Sequence, residues 1–341
     1  MIYWFEELGQ EHNEKFGKKC ANLGQMKRMG LAVPPGFAIS IDMYRRFADS
    51  TGAAEEMFTC VKGYGELKGA AITVFEEMSE KLRCCIEGKE MPPPIREAIA
   101  SYYSKLCDRT ETENVAVSVR SAGTESRPGM FETYLNVRGI EDVLEKVKRV
   151  WGSSYTARAI AFRVNKGFPV IGDELGVAVP KMVNARASGI AFTVNPVDGD
   201  DSKIILEANW GLGEGVVSGA ESVDGFVIGK ETLGIVSRHL GNKVRCVVYR
   251  ENGADWADVP AHMQSQPCVS DEEIVEIARV ARSAEKTLNC PQDMEWAVDQ
   301  DLVFPHSLFW LQTRPAKVAA RPKVSASAYI AEMMARKFGG V

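Results

Sequence analysis

The spacing of apolar residues varies along this chain and predicts both strands and helices. Short runs of valine, isoleucine, alanine and phenylalanine are typical of buried strands, and apolar residues three or four positions apart are typical of helices. The predicted strands lie at 37–39, 115–119, 176–183, 188–196, 204–206, 293–298 and 308–314. The predicted helices lie at 21–29, 72–86, 95–106, 141–154, 158–163 and 271–289. This mixture indicates an α/β or α+β protein.

Turn-forming residues separate these elements. Gly30 stands where the first of these helices would end, and Ser270 with Glu273 forms a capping box that begins the last one. Residues 184–187 have the composition of a hairpin connection between the strands on either side. The loop after Glu207 is rich in glycine: Gly211, Gly213, Gly215 and Gly219. Such a loop lets the backbone approach a phosphate or cross another segment closely, and glycine spacing does not distinguish the two.

Arg120 is the first candidate for phosphate chemistry. It ends the valine-rich run and precedes a loop of small and turn-forming residues at 121–130, after which comes Thr133. A guanidinium offers a bidentate fork to phosphate, and free backbone amides in a turn form a concavity that binds anions. The stretch therefore predicts a phosphate site, and an exposed turn between two strands is the alternative.

Lys19 is the second candidate. It lies just ahead of the first predicted helix, where an ammonium and the free amide groups of a helix start point the same way. This arrangement suits an anionic ligand. A solvated lysine at a helix start is the alternative.

The last two predicted strands carry the third candidate site. Strand alternation places Asp293 and Glu295 on one face of the first strand, and Gln312 and Arg314 on one face of the second. Mg²⁺ prefers carboxylate and amide oxygens, and an arginine would balance phosphate charge beside it. The pattern predicts a Mg²⁺–phosphate site, with a salt bridge between the strands as the alternative.

Composition narrows the range of functions. The 341 residues have a formal net charge of −5. This argues against a general nucleic-acid or membrane-surface binder, because such a protein needs a basic stripe. No apolar run approaches a membrane span, and the N-terminus is acidic where a signal peptide is basic. The eight cysteines include no CxxC pair. They predict reduced thiols in a cytoplasmic protein and no zinc site.

Taken together, the segments resemble the ATP-binding (ATP-grasp) domain of the dikinase family. That family includes phosphoenolpyruvate synthase, pyruvate phosphate dikinase, rifampicin phosphotransferase and the ATP-binding subunit of phenylphosphate synthase. Its opening lysine motif resembles GKKCANLG…VPPGFAIS and its phosphate-arginine motif VAVSVRSAGTES. Its central segment resembles SGIAFTVNP…EANWGLGEGVVSG, and its closing motif PQDMEWAVD…LFWLQTRP. The resemblance runs from about residue 14 to Pro315.

The resemblance implies an α/β (α+β) ATP-grasp fold with two lobes, mixed or antiparallel sheets and flanking helices. We expect an N-terminal lobe at 1–200 with the helical region and phosphate loop, a C-terminal lobe at 201–315 with the metal and phosphate motif, and a tail or docking helix at 316–341. A short helical pattern at 329–338 lies in that last segment.

The resemblance also assigns roles to residues, with ATP and Mg²⁺ as cofactors. The catalytic cations would be Lys19, Arg120 and Arg314. The metal ligands would be Asp293, Glu295 and Gln312. The loop at 121–130 would close over the phosphates, and the adenine would lie against 179–183, held by backbone groups. The expected nucleotide contacts are Lys19, Arg120, Ser121, Thr133, Val179, Lys181, Met182, Glu295, Gln312 and Arg314.

This chain departs from the family pattern in several places. Lys18 and Cys20 stand where glycines are usual, and Pro180 where many relatives have glutamine. Residues 299–307 lengthen the gap before Gln312. The family's phosphorylatable histidine lies in a Gly/Thr-Ser-His context, which none of the four histidines here has: His12, His239, His262 and His306.

These features favour one function over two others. We expect an ATP-binding subunit of a dikinase-type phosphotransferase, similar to phenylphosphate synthase, that splits ATP to AMP and phosphate. The phosphoryl group would pass to a histidine on a separate partner subunit. The first alternative is the ATP-binding component of a split phosphoenolpyruvate synthase or pyruvate phosphate dikinase. The second is a non-catalytic ATP-binding regulatory module, which would have no need to keep both metal carboxylates and phosphate cations.

Overall fold

The computed structural model describes residues 1–125, 127, 129–217, 222–250 and 253–318. The strands are β1 (Ile2–Trp4), β2 (Gly36–Ile39), β3 (Val117–Ala122), β4 (Thr133–Val137), β5 (Gly176–Pro180), β6 (Ala185–Phe192), β7 (Lys203–Trp210), β8 (Asp224–Gly229), β9 (Ile235–His239), β10 (Arg245–Arg250), β11 (Gly253–Asp258), β12 (Gln292–Asp299) and β13 (Leu308–Pro315). The helices are α1 (Asn13–Phe16), α2 (Lys18–Arg28), α3 (Ile41–Ser50), α4 (Ala53–Lys62), α5 (Ile72–Glu87), α6 (Pro93–Arg109), α7 (Ile140–Gly152), α8 (Ala157–Lys166), α9 (Glu214–Val217) and α10 (Asp271–Leu288).

The first sheet has the strand order β1-β2-β5-β3-β4, with every neighbouring pair antiparallel. Alternation along β5 sends Val177 and Val179 into a core shared with the helices α3–α8. The alanine between them, Ala178, faces the opposite side. Together with Ala38 and Ala122 it leaves room there for α2 to pack closely on the sheet. One face of this sheet therefore holds the helical region and the other holds α2.

The second sheet has the order β13-β12-β6-β7-β8-β9, again antiparallel throughout. The helix α10 covers one face, where Ile274 and Ile277 pack with Trp296 and Trp310. The capping box predicted for α10 is confirmed, because Ser270 Oγ accepts from the amide of Glu273 at 3.2 Å. The opposite face of β12 and β13 is turned towards α2 and the first sheet.

The structure corrects the prediction of a hairpin at 184–187. The strands on either side of this segment belong to different sheets, since β5 pairs with β2 and β3 while β6 pairs with β7 and β12. Residues 181–184 are thus the connection between the two sheets. The division between sheets falls there, ahead of the boundary near residue 200 that the sequence suggests.

Most predicted helices are confirmed at their positions, including α5, α6, α7 and α10. Gly30 follows the end of α2 with a φ of 79°, as expected for a C′ glycine. The helical pattern at 329–338 lies outside the described residues. In the described part of the chain, no helix combines the length and apolarity that crossing a membrane requires.

Candidate functional site

A cavity of about 420 Å³ lies between the two sheets, beside the connection at 181–184. That volume is in the range of small-molecule sites. Nine of the eleven residues that the sequence assigns to nucleotide or metal line it: Lys19, Arg120, Ser121, Thr133, Lys181, Met182, Glu295, Gln312 and Arg314. They come from a helix, strands and loops up to nearly 300 residues apart in the chain, and the fold brings them to one place.

Lys19 reaches the cavity because α2 begins directly against the end of β3. Gly17, with a φ of +81°, lies so close to β3 that a Cβ there would come within 2.0 Å of the Ala122 carbonyl oxygen. The amide of Lys18 donates to the Gly123 carbonyl at 2.8 Å. The helix begins at Lys18, so Lys19 lies inside its first turn, not ahead of the helix as the sequence suggested.

Arg120 lies in the interior of β3, not at its end. Its two cross-strand partners are Thr133 of β4 and Ala178 of β5, so Thr133 stands directly beside it at the cavity wall. The guanidinium reaches across to the second sheet. Its Nη1 donates to the Leu311 carbonyl at 3.4 Å, and its Nη2 lies 3.6 Å from Oε2 of Glu295.

The strands β12 and β13 pair so that the predicted metal and phosphate residues face each other. Asp293 is opposite Arg314, whose Nε donates to Oδ2 of the carboxylate at 2.7 Å. Glu295 is opposite Gln312, whose amide donates to Oε1 at 3.1 Å. The shared faces predicted from strand alternation are therefore present. Asp293 is 8% exposed and does not line the cavity itself. It lies behind the cavity wall, in contact with Arg314, which does line it.

The electrostatics of the cavity are dominated by cations. Burial, reinforced by the charge of Arg120, lowers the pKa of Lys19 to about 7, although Glu295 opposes the shift. Within the described part of the chain, Lys19 forms no ion pair. Burial also raises the pKa of Asp293, against the effect of Arg314. An anion placed here would relieve the repulsion between the cations and favour the charged form of Lys19.

The segment expected to hold the adenine lines the cavity only in part. Pro180, Lys181, Met182 and Val183 reach it, whereas Val179 does not, because its side chain is buried in the first core. The amides of Lys181 and Met182 already donate to the carbonyls of residues 35 and 116, both at 2.8 Å. These two N–H groups are therefore already hydrogen-bonded within the protein and are not available to donate to an adenine base.

The loop at 121–130 forms one wall of the cavity through Gly123, Glu125, Arg127 and Gly129. Ser126 and Pro128 lie outside the described residues. Arg127 is held by an ion pair with Asp173, which also accepts from the buried Arg163 at 3.0 Å. This pairing fastens the loop to the first lobe.

Glu214 and Asn22 are among the cavity residues that the sequence did not single out. Glu214 lies in the glycine-rich loop at the start of α9, and burial raises the pKa of its carboxyl while Arg120 lowers it. Asn22 lies one turn after Lys19, and its amide donates to the Thr313 carbonyl of β13 at 2.8 Å. The spacing from Lys19 could have identified Asn22. In the glycine-rich loop itself, Gly211 makes a close crossing, since a Cβ there would lie 2.2 Å from the Val247 carbonyl oxygen.

The residues present fit a magnesium–nucleotide complex. Oδ1 of Asp293 and Nε of Arg120 are both buried without a hydrogen-bond partner, so an oxygen ligand and a donor are left available. Among the described residues, no three His, Cys, Asp or Glu side chains form a metal cluster. Mg²⁺ commonly takes one or two carboxylates and completes its coordination with substrate phosphate and water. Asp293, Glu295 and Gln312 could hold the ion in this way.

Comparison with known proteins identifies an AMP/ATP-binding domain. The family model described as "Pyruvate phosphate dikinase, AMP/ATP-binding domain" matches residues 13–334. A probable phosphoenolpyruvate synthase of Methanocaldococcus jannaschii is 37% identical over 329 residues, covering 94% of this chain and 27% of that protein. The phosphoenolpyruvate synthase of Aeropyrum pernix is 36% identical over 366 residues, covering 96% of this chain and 44% of that protein. The chain spans less than half the length of these relatives.

Proposed function

Because this chain belongs to the pyruvate phosphate dikinase AMP/ATP-binding domain family, whose members are dikinase-type phosphotransferases, we propose that it binds Mg²⁺ and ATP between its two sheets and starts a dikinase reaction. One observation carries the proposal. Lys19, Arg120, Arg314 and Glu295 line one cavity, with Asp293 behind its wall on Arg314; Lys19 and Arg120 lie on one side and the β12–β13 pair on the other.

Each group has a role in that reaction. Lys19, Arg120 and Arg314 neutralise charge on the transferred phosphoryl group, which is the main demand of phosphoryl transfer. Asp293, Glu295 and Gln312 hold the metal, which when bound shields the phosphates. The loop at 121–130 covers the phosphates and excludes water.

The acceptor of the phosphoryl group is a histidine outside these 341 residues. None of the four histidines of the chain lines the cavity. The β-phosphoryl group of ATP passes to the histidine nitrogen of a partner subunit, AMP leaves, and the γ-phosphate is released as orthophosphate with water as co-reactant. This arrangement is similar to that of a phenylphosphate synthase with its ATP-binding subunit.

A second candidate is the ATP-binding component of a split phosphoenolpyruvate synthase. The names of the relatives favour it, because the proteins of Methanocaldococcus jannaschii and Aeropyrum pernix are both described as phosphoenolpyruvate synthases. The two candidates share the ATP half-reaction and differ only in the final acceptor.

The test is a pull-down of the tagged chain from its own lysate, followed by incubation with ATP labelled at the β-phosphate. We expect label on a histidine of a co-purified protein together with AMP. Adding phenol or pyruvate should then discharge the label and so identify the acceptor. Arg120→Gln should lower labelling by about 100-fold or more, whereas Arg238→Gln, which removes a surface guanidinium paired with Asp271, should not.

Other results contradict the proposal in different ways. ATP binding without AMP or labelled partner would favour the non-catalytic regulatory module. No ATP binding would show that the cavity is not the phosphate site.

A further inference from the structure

The guanidinium of Arg314 is occupied by the carboxylate expected to bind metal. Its Nε donates to Oδ2 of Asp293 at 2.7 Å. Asp293 is 8% exposed and its other oxygen, Oδ1, is buried without a hydrogen-bond partner. One oxygen of the carboxylate therefore accepts a hydrogen bond from the arginine, and the other oxygen has no hydrogen-bond partner. A buried oxygen in this state favours a further cation or donor.

Arg120 and Glu295 repeat the arrangement more loosely. The distance from Nη2 to Oε2 is 3.6 Å, and Gln312 occupies Oε1 at 3.1 Å. The Nε of Arg120 is buried without a partner. Each of the two arginines expected to bind phosphate therefore stands beside a carboxylate expected to bind metal.

The two ligands consequently depend on each other. ATP without metal would bring its phosphates against Asp293 and Glu295, with like charges close together in a largely buried site. A metal ion alone would compete with Arg314 and Arg120 for the same carboxylates and leave both guanidinium groups beside a dication. The metal–nucleotide complex avoids both repulsions, because the carboxylates bind the metal and the arginines bind the phosphates.

We propose that Asp293 and Glu295 are specificity-determining residues that make this site select metal-bound ATP over free ATP, by holding Arg314 and Arg120 in ion pairs until both ligands arrive. The inference rests on the proposed function, because it takes ATP and Mg²⁺ as the ligands. Beyond that function, the inference states that both ion pairs exchange partners when the ligands bind, and it ranks the two pairs by their effect on selectivity. The Asp293–Arg314 pair, at 2.7 Å against 3.6 Å, is the stronger determinant.

The experiment measures ATP binding by calorimetry in EDTA and in Mg²⁺, for the wild type and for Asp293→Asn and Glu295→Gln. Each replacement keeps the shape and removes the charge. In the wild type we expect Mg²⁺ to tighten ATP binding by about 5- to 150-fold, the usual range of coupling between two ligands. Asp293→Asn should bind ATP in EDTA at least about fivefold more tightly than the wild type, and Mg²⁺ should then add little. Glu295→Gln should shift the same way by less.

The matched control is Asp271→Asn, which also removes a carboxylate from an arginine, at 2.7 Å from Arg238, on an exposed surface. It should behave as the wild type does in both buffers. If Asp293→Asn binds ATP in EDTA no better than the wild type, the exchange of partners is refuted while the proposed function stands. If the wild type binds no ATP even with Mg²⁺, the proposed function fails and this inference fails with it.

A measurement without nucleotide tests whether Arg314 competes with the metal for Asp293. It does not require that the Asp293 variant folds. Mn²⁺ binding is followed by electron paramagnetic resonance in the wild type and in Arg314→Gln, which frees Asp293. The variant should bind Mn²⁺ at concentrations at which the wild type does not. Equal Mn²⁺ binding by the two proteins would overturn the proposal.

Discussion

Lys19 lines the cavity as a half-buried, desolvated lysine, and it forms no ion pair within the described part of the chain. Its pKa of about 7 means that a substantial fraction of the side chain is neutral near physiological pH before any ligand arrives. Burial is the first cause and the Arg120 guanidinium the second. A bound phosphate adds negative charge beside the ammonium and would raise this pKa again.

ATP binding should therefore be coupled to proton uptake. Only the protonated form of Lys19 attracts phosphate, so ATP affinity should be greatest below the pKa of about 7 and fall as pH rises above it. The loss should approach about tenfold per pH unit until the pKa of the complex is reached. Calorimetry from pH 7.5 to 9.5, in buffers of different ionisation enthalpy, measures both the affinity and the proton uptake.

Lys19→Arg is the control for this effect, because an arginine stays protonated throughout that range. The variant should bind ATP with little change between pH 7.5 and 9.5. A wild-type affinity that is equally flat would mean that Lys19 remains charged in the free protein.

At the scale of elements, the junction between β3 and α2 sets the geometry of the side of the cavity that carries Lys19 and Arg120. Gly17 adopts a φ of +81° and lies against the Ala122 carbonyl, so the first turn of α2 presses on the strand that carries Arg120. The segment that follows α2 is joined to the second sheet, where the Trp310 amide donates to the Ala32 carbonyl at 2.8 Å. One short helix therefore positions Lys19 relative to both sheets.

Gly17→Ala should damage this junction, and Gly30→Ala is its matched control. Both glycines have a φ near +80°, but a Cβ at Gly30 would meet nothing within 4 Å. We expect Gly30→Ala to cost about 1 kcal/mol of unfolding free energy from backbone strain alone. Gly17→Ala should cost about 3 kcal/mol or more, because the clash with Ala122 adds to the strain. Urea unfolding measures the difference.

The two variants should also differ in ligand binding. Only Gly17→Ala displaces the first turn of α2, so only that variant should weaken ATP binding. Equal losses of stability and equal ATP affinities would show that the contact between Gly17 and Ala122 does not position the helix.

On the scale of the whole molecule, the two lobes share parts of the same core. The N-terminal segment contributes Phe5, Phe16 and Leu23 to the core that contains Trp296 and Trp310 of the second sheet. The first sheet faces this core with its alanines and faces the helical region with its valines. The hairpin β10–β11 also connects the two halves, since Tyr249 donates to the Val183 carbonyl and Asn136 to that of Arg250.

We predict that both lobes unfold as one cooperative unit. Leu82→Ala in α5 removes a fully buried side chain from the first core and should cost about 2–5 kcal/mol. If the lobes are one unit, slow amide exchange should speed up by the same factor in β3 and in β7, which lie in different sheets. Hydrogen exchange with mass spectrometry measures both. Acceleration confined to β3 and the helical region would show that the lobes open independently.

The sequence by itself determined the family, most helix and strand positions, and the faces of β12 and β13 on which the proposed metal and phosphate residues lie. These are local properties, because apolar period, caps and side-chain alternation depend on residues only a few positions apart. It did not determine which strands pair. Residues 184–187 looked like a hairpin, but β6 begins at Ala185 and residues 181–184 connect two sheets; the side chain of Val179 lies in the first core. Strand partners, the pairing of Arg314 with Asp293 and the lowered pKa of Lys19 all arise from packing between distant segments, so only the tertiary structure decided them.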